Sequence, residues 1–146
     1  MFISDVLCTK GVDVHSVGPD VTTDHAVRQL VRYNIGSLVV FGSDGRRRRM
    51  LGIVTERDIL RAQANRRKPL ERLLVREVMS VEVVCTTVDK PLTDAMRLMT
   101  EHRIRHLPVV DDNGELFGIV SIGDIVKAQH DELVAENHFM RTYIRG

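Results

Sequence analysis

Two stretches, GIVTERD at residues 52–58 and GIVSIGD at residues 118–124, each place a hydroxyl residue three positions before an aspartate. Thr55-x-x-Asp58 and Ser121-x-x-Asp124 fit the reciprocal cap of a helix start. The hydroxyl accepts from the third residue's N–H, and the carboxylate accepts from the hydroxyl residue's own N–H. The same groups can also do binding chemistry. A helix start offers N–H groups and the positive end of the peptide dipoles to an anion. A carboxylate there can accept from both hydroxyls of a vicinal diol, such as the 2′,3′-diol of ribose. The cap hydroxyl can serve a phosphate or ribose oxygen. Helix cap and ligand site are both open readings, and neither excludes the other.

The elements that must position these residues repeat. A shift of 69 aligns Val14 with Val83, Asp20 with Asp89, Ala26 with Ala95, Ile35 with Ile104 and Val40 with Val109; beyond the hairpin the shift is 66, pairing Gly52 with Gly118 and Asp58 with Asp124. The difference falls where one copy reads GSDGRRRRM and the other DDNGEL, as a surface loop tolerates. Each copy begins with an apolar stretch (residues 12–17 and 81–86) that reads as a strand, followed by a turn holding Pro19 or Pro91. A helix with apolar residues at helical spacing comes next, then the strand formers SLVVF or HLPVV. A turn at Ser43-Asp44-Gly45 or Asp112-Asn113-Gly114 returns the chain into the motif strand. The order is β-α-β-β-α, twice: an α+β chain with a segment at 1–11, repeats at 12–68 and 81–129, a helical connector at 69–80 and a helix at 130–146. One copy alone buries too little for comfortable stability, so the two should pack about a pseudo-twofold axis.

Composition narrows the functions. A net charge of +1 over 146 residues and an aromatic fraction of 4% with no Trp argue against bulk electrostatic or base-stacking recognition of nucleic acid. The two cysteines, Cys8 and Cys85, form no zinc spacing and suit free thiols in a reducing cytosol. The N-terminus lacks a basic start, a long apolar core and a small-residue cleavage site, so no signal peptide is expected. No apolar run approaches the roughly 20 residues of a membrane span; a cytoplasmic protein is expected. Arg46 to Arg49 could grip RNA or an acidic partner, but a solvated loop is the simpler account. His130 and His138 match no metal spacing. His102 and His106 should diverge, because the helix ends between them. No catalytic constellation is proposed.

The doubled unit ending in G-I-V-[ST]-x-x-D resembles a tandem pair of CBS domains, a regulatory module also called a Bateman module, over about residues 12–129. The second copy, VVCTTVDKPLTDAMRLMTEHRIRHLPVVDDNGELFGIVSIGDIVKA, follows that pattern almost throughout. The closing HDELVAENHFMRTYIRG is similar to the last helix of small stand-alone bacterial versions. The resemblance implies adenosine ligands (AMP, ADP or ATP, with NAD(H) or S-adenosylmethionine as further options) held in clefts between the repeats, and no catalytic cofactor. It implies that Asp124 and Asp58 hold ribose and that Ser121 and Thr55 lie beside ribose and phosphate. Arg105 and His106 would meet phosphate, with Ile35, Gly36 and Ile104 lining the clefts. Because Gly36 and Ser37 stand where the second copy has Arg105 and His106, the Asp124 site is expected to be the tighter one. The resemblance further implies a homodimer through helices and a regulated protein partner not identified by the sequence. The rival readings are an interaction scaffold with vestigial clefts and, less favoured, an RNA- or DNA-binding protein using Arg46 to Arg49.

Overall fold

The computed structural model describes residues 1–42, 49–65 and 68–145. The Ser43-Asp44-Gly45 turn and Arg46 to Arg48 therefore lie outside the described residues. In chain order the elements are α1 (Ile3–Lys10), β1 (Ser16–Val17), α2 (Thr23–Tyr33), β2 (Ser37–Phe41), β3 (Met50–Thr55), α3 (Glu56–Ala64), α4 (Val75–Val78), α5 (Leu92–His102), β4 (His106–Val110), β5 (Leu116–Ser121) and α6 (Ile122–Arg145). The expected α+β class holds, with α2-β2-β3-α3 in the first repeat matched by α5-β4-β5-α6 in the second. β1, β2 and β3 form one sheet, with β1 parallel to β2 and β3 antiparallel to it; β4 and β5 form an antiparallel pair. The register sets Ser37 opposite Thr55 and His106 opposite Ser121. Both helix C-termini before the hairpins close in the left-handed region, at Asn34 (φ 51°) and Arg103 (φ 53°), the same place in each repeat.

The expected strand at 81–86 does not form; Thr86 makes a single parallel bridge to Val109. The reason lies in its neighbour. In the first repeat the Val39 N–H donates to the His15 carbonyl at 3.2 Å, extending the ladder beside β1. The matching position in the second repeat is Pro108, which has no N–H to give. Val83 and Val84 turn instead toward a cleft between the repeats.

Each repeat has its own aliphatic core, closed by a helix from outside that repeat: α4, which follows the first repeat, and α1, which lies ahead of it and closes the second. The first gathers Ala26, Leu30, Leu38, Val40, Val54 and Ile59 around Val75 of α4. The second gathers Leu92, Ala95, Met99, Leu107, Val120 and Ile125 around Ile3, Val6 and Leu7 of α1. The segment at 1–11 is thus a helix buried in the second repeat, across the first. The same hydrogen bonds dock both segments. Thr23 N–H donates to Leu73 O at 2.7 Å and Val75 N–H to Val21 O at 2.9 Å; Leu92 N–H donates to Met1 O at 3.1 Å and Ile3 N–H to Lys90 O at 2.9 Å.

This docking explains the motif glycines. A Cβ on Gly52 would lie 2.5 Å from the Ser80 carbonyl oxygen and 3.3 Å from Met79 Sδ, and one on Gly118 would lie 3.1 Å from Leu7 Cδ2. Glycine at each position lets the incoming segment lie against the motif strand. The C-terminal helix expected at 130–146 is the continuation of α6, which runs unbroken from the second motif to Arg145. Its far half exposes Leu133, Val134, Phe139, Met140, Tyr143 and Ile144. Among the described residues, no helix is long and apolar enough to cross a membrane, and no group of three or more His, Cys, Asp or Glu side chains could hold a metal ion.

Candidate functional site

Both motifs form the cap that their spacing predicts. Where β3 runs into α3, the Thr55 N–H donates to Asp58 Oδ2 at 2.9 Å, the Thr55 hydroxyl donates to the same oxygen at 3.1 Å, and the Asp58 N–H donates back to Thr55 Oγ1 at 3.3 Å. Where β5 runs into α6, the Ser121 N–H donates to Asp124 Oδ2 at 2.8 Å and the Asp124 N–H to Ser121 Oγ at 3.1 Å. Each cap fixes its carboxylate on one oxygen. Asp58 Oδ1 has the Ser80 hydroxyl at 3.5 Å, at the limit of a hydrogen bond.

A cleft of about 610 Å³ opens between the repeats. From the first repeat it takes Gly36, Thr55, Glu56, Arg57, Asp58 and Arg61; from the second it takes His102, Arg103, Ile104, Arg105 and His106. This corrects the expected pairing: Arg105 and His106 line the cleft with Asp58 and Thr55, although His106 is the ladder partner of Ser121. The physical reason is the pseudo-twofold packing, which turns the residues before β4 toward the first repeat. Gly36 makes room for the imidazole, since a Cβ there would lie 3.0 Å from His106 Cε1 and 2.8 Å from Glu56 Oε1. His102, expected to diverge from His106, lines the same cleft. The left-handed turn at Arg103 brings the chain back on itself between them.

Ile104 lines the cleft and also packs on the second core. Ile35, expected as a wall, packs instead on the first core, its N–H donating to the Leu30 carbonyl at 3.0 Å. Asp124 and Ser121 lie outside this cleft. There the Lys10 ammonium, from the end of α1, donates to Asp124 Oδ2 at 2.6 Å and to the Ile119 carbonyl at 2.6 Å. Burial pushes the Asp124 carboxyl up. The Lys10 hydrogen bond, the Ser121 N–H, the Lys10 charge and the Ser121 hydroxyl together outweigh it and hold the group below its ordinary value.

The cleft lining carries both signs of charge: Arg57, Arg61, Arg103 and Arg105 share it with Glu56, Asp58 and Glu82. Desolvation holds the His106 imidazole below its ordinary value; Glu56 pulls it up, Lys10 pushes it down, Asp124 pulls it up and Arg105 pushes it down. The balance of these charges with burial favours the neutral imidazole. Arg57, Arg61 and Arg103 escaped the sequence reading, although Arg57 sits inside the motif itself. Arginines at loop edges and helix starts read as solvated charge until a fold turns them inward. The arrangement can hold a diol at Asp58, an anion among the guanidinium groups and an apolar ring against Val83, Val84 and Ile104.

The family model of the CBS domain matches residues 3–65 and 75–131. A CBS-domain containing protein from Agrobacterium tumefaciens is 41% identical, with a TM-score of 0.82 over 88% of this chain and 92% of that one. A CBS domain protein from Pyrobaculum aerophilum, solved in complex with AMP, is 30% identical, with a TM-score of 0.74 over 85% of this chain and 89% of that one. The CBS domain pair of protein MJ0100, solved with 5′-methylthioadenosine and S-adenosyl-L-methionine, is 25% identical, with a TM-score of 0.74 over 90% of this chain and 98% of that one.

Proposed function

The chain belongs to the CBS domain family, and we propose that it is a regulatory module that binds a phosphate-bearing adenosine ligand in the cleft between its repeats. One observation carries the reading: the fold sets the Asp58 carboxylate and Thr55 hydroxyl of the first motif in one cleft with Arg103, Arg105 and His106 of the second repeat. Asp58 Oδ1 would accept from the ribose diol while Oδ2 remains in the helix cap. The guanidinium groups would take the phosphate through charge-assisted bonds, roughly twice as strong as neutral ones. That cation set favours AMP, ADP or ATP over S-adenosylmethionine, whose sulfonium it would repel. The AMP and methylthioadenosine complexes of related CBS pairs support an adenosine-type ligand.

The switching mechanism is linkage. A ligand touching both repeats stabilises the arrangement in which the cleft closes on it, and only a difference in affinity between two arrangements can move a partner. The exposed apolar residues of α6 fit a helix-to-helix contact between two copies.

Thermal melts test the binding claim. AMP at 100 times its dissociation constant adds about 2.7 kcal/mol. That raises the melting temperature by about 5–10 °C for a chain near this size. No shift with AMP, ADP, ATP, NAD(H) or S-adenosylmethionine would leave an interaction scaffold as the better account.

A further inference from the structure

The two motifs are not equally open. In the first repeat the Ile53 carbonyl accepts the Ser80 main-chain N–H at 2.9 Å, and Asp58 faces only the Ser80 hydroxyl at 3.5 Å from that segment. In the second repeat the matching carbonyl, Ile119, accepts the Lys10 ammonium, which also grips Asp124. The two docked segments thus set a neutral main chain, at Ser80, beside one aspartate and a cation, Lys10, on the other. The Lys10 and Asp124 side chains are only 30% and 25% exposed, and α1 is anchored by buried Ile3, Val6 and Leu7. Lys10 is therefore held in place rather than swinging free.

We propose that Lys10 is the residue that makes the clefts unequal: it occupies the second motif as a tethered cation, so that ligand loads the Asp58 cleft first. This rests on the adenosine-ligand reading above and reverses the expectation that the Asp124 site is the tighter. The Lys10 ammonium neutralises the Asp124 carboxylate and stands beside Oδ2 and the Ile119 carbonyl, so a ribose diol on this carboxylate competes with it. If Lys10 holds the site about 90% of the time, the apparent affinity there falls about tenfold. Lys10 also adds positive charge beside His106, so its displacement would be felt in the first cleft.

Calorimetric titration with AMP on the full chain tests this. Unaltered protein should show one strong event, abolished by Asp58→Ala. Lys10→Met, which keeps the aliphatic stem, should add a second event or strengthen a weak one about tenfold, and Asp124→Ala should remove that gain. Lys10→Gln serves as a second variant. In the unaltered protein, the Lys10 ammonium NMR signal should persist through saturation of the strong event. An unchanged or weakened second event in both variants, or loss of that ammonium signal during the first event, overturns the inference. Binding to unaltered protein with no gain on removing Lys10 defeats this inference alone; binding to neither defeats the adenosine reading and the inference with it.

Discussion

Gly52 and Gly118 occupy the same place in the two motifs, yet alanine there should have unlike costs. At Gly52 the new Cβ meets the Ser80 carbonyl oxygen at 2.5 Å. Relief requires the backbone to retreat by about 1 Å to reach ordinary contact. That movement breaks the paired hydrogen bonds between Ile53 and Ser80, at 3.0 and 2.9 Å. Each bond contributes about 1 kcal/mol, and overpacking adds about 1–3 kcal/mol. The gain from a stiffer unfolded chain, about 0.4–1 kcal/mol, offsets little of this. Gly52→Ala should therefore cost about 2–4 kcal/mol, a fall in melting temperature of roughly 5–15 °C. At Gly118 the nearest atom is a Leu7 methyl at 3.1 Å, which a rotamer change can move, so the net effect should stay within about 1 kcal/mol. Because Ser80 also stands beside Asp58, Gly52→Ala should weaken AMP binding and Gly118→Ala should not. Denaturant melts followed by circular dichroism measure both. Equal losses, or a harmless Gly52→Ala, would show that the segments docked at Ser80 and Leu7 do not dictate these glycines.

Leu7→Ala, at a buried α1 position, should cost about 2–5 kcal/mol, while Ser4→Ala on the exposed side should stay within about 0.5 kcal/mol; similar melts for both would show that α1 does not close the second core. His106 has a depressed folded value, so the unfolded chain binds more protons below the ordinary value of 6.5. Stability should accordingly fall as pH drops from 7 through that value toward the folded one, and a His106→Gln variant should lose this slope. A slope identical in both proteins would contradict the burial assigned to the imidazole. Sedimentation should give a dimer that Phe139→Glu with Tyr143→Glu converts to monomer; a monomeric unaltered chain would remove the helix-to-helix contact.

The shifts of 69 and 66 were readable because the elements recur, and the structure honours them down to the left-handed caps at Asn34 and Arg103. What failed to show was how the copies face each other. Arg105 and Asp124 belong to one repeat in sequence, but Arg105 lines the cleft of the other repeat's aspartate, a consequence of packing and not of spacing. The helix at α1 did leave a trace. FISDVL at residues 2–7 mirrors LVREVM at residues 74–79, and both dock through the same hydrogen bonds. Lys10 left none, since a lysine at a helix C-terminus is ordinary dipole chemistry. The missing strand near Val81 was foreseeable from Pro108, given that the neighbouring ladder would need its N–H.

The central claim is that the cleft holding Asp58 takes the ligand. Calorimetric titration of AMP into unaltered protein, Asp58→Ala and Asp124→Ala, each shown to be folded, tests it most directly. The strong event should vanish in Asp58→Ala and survive in Asp124→Ala. Full binding by Asp58→Ala, or loss confined to Asp124→Ala, would contradict it.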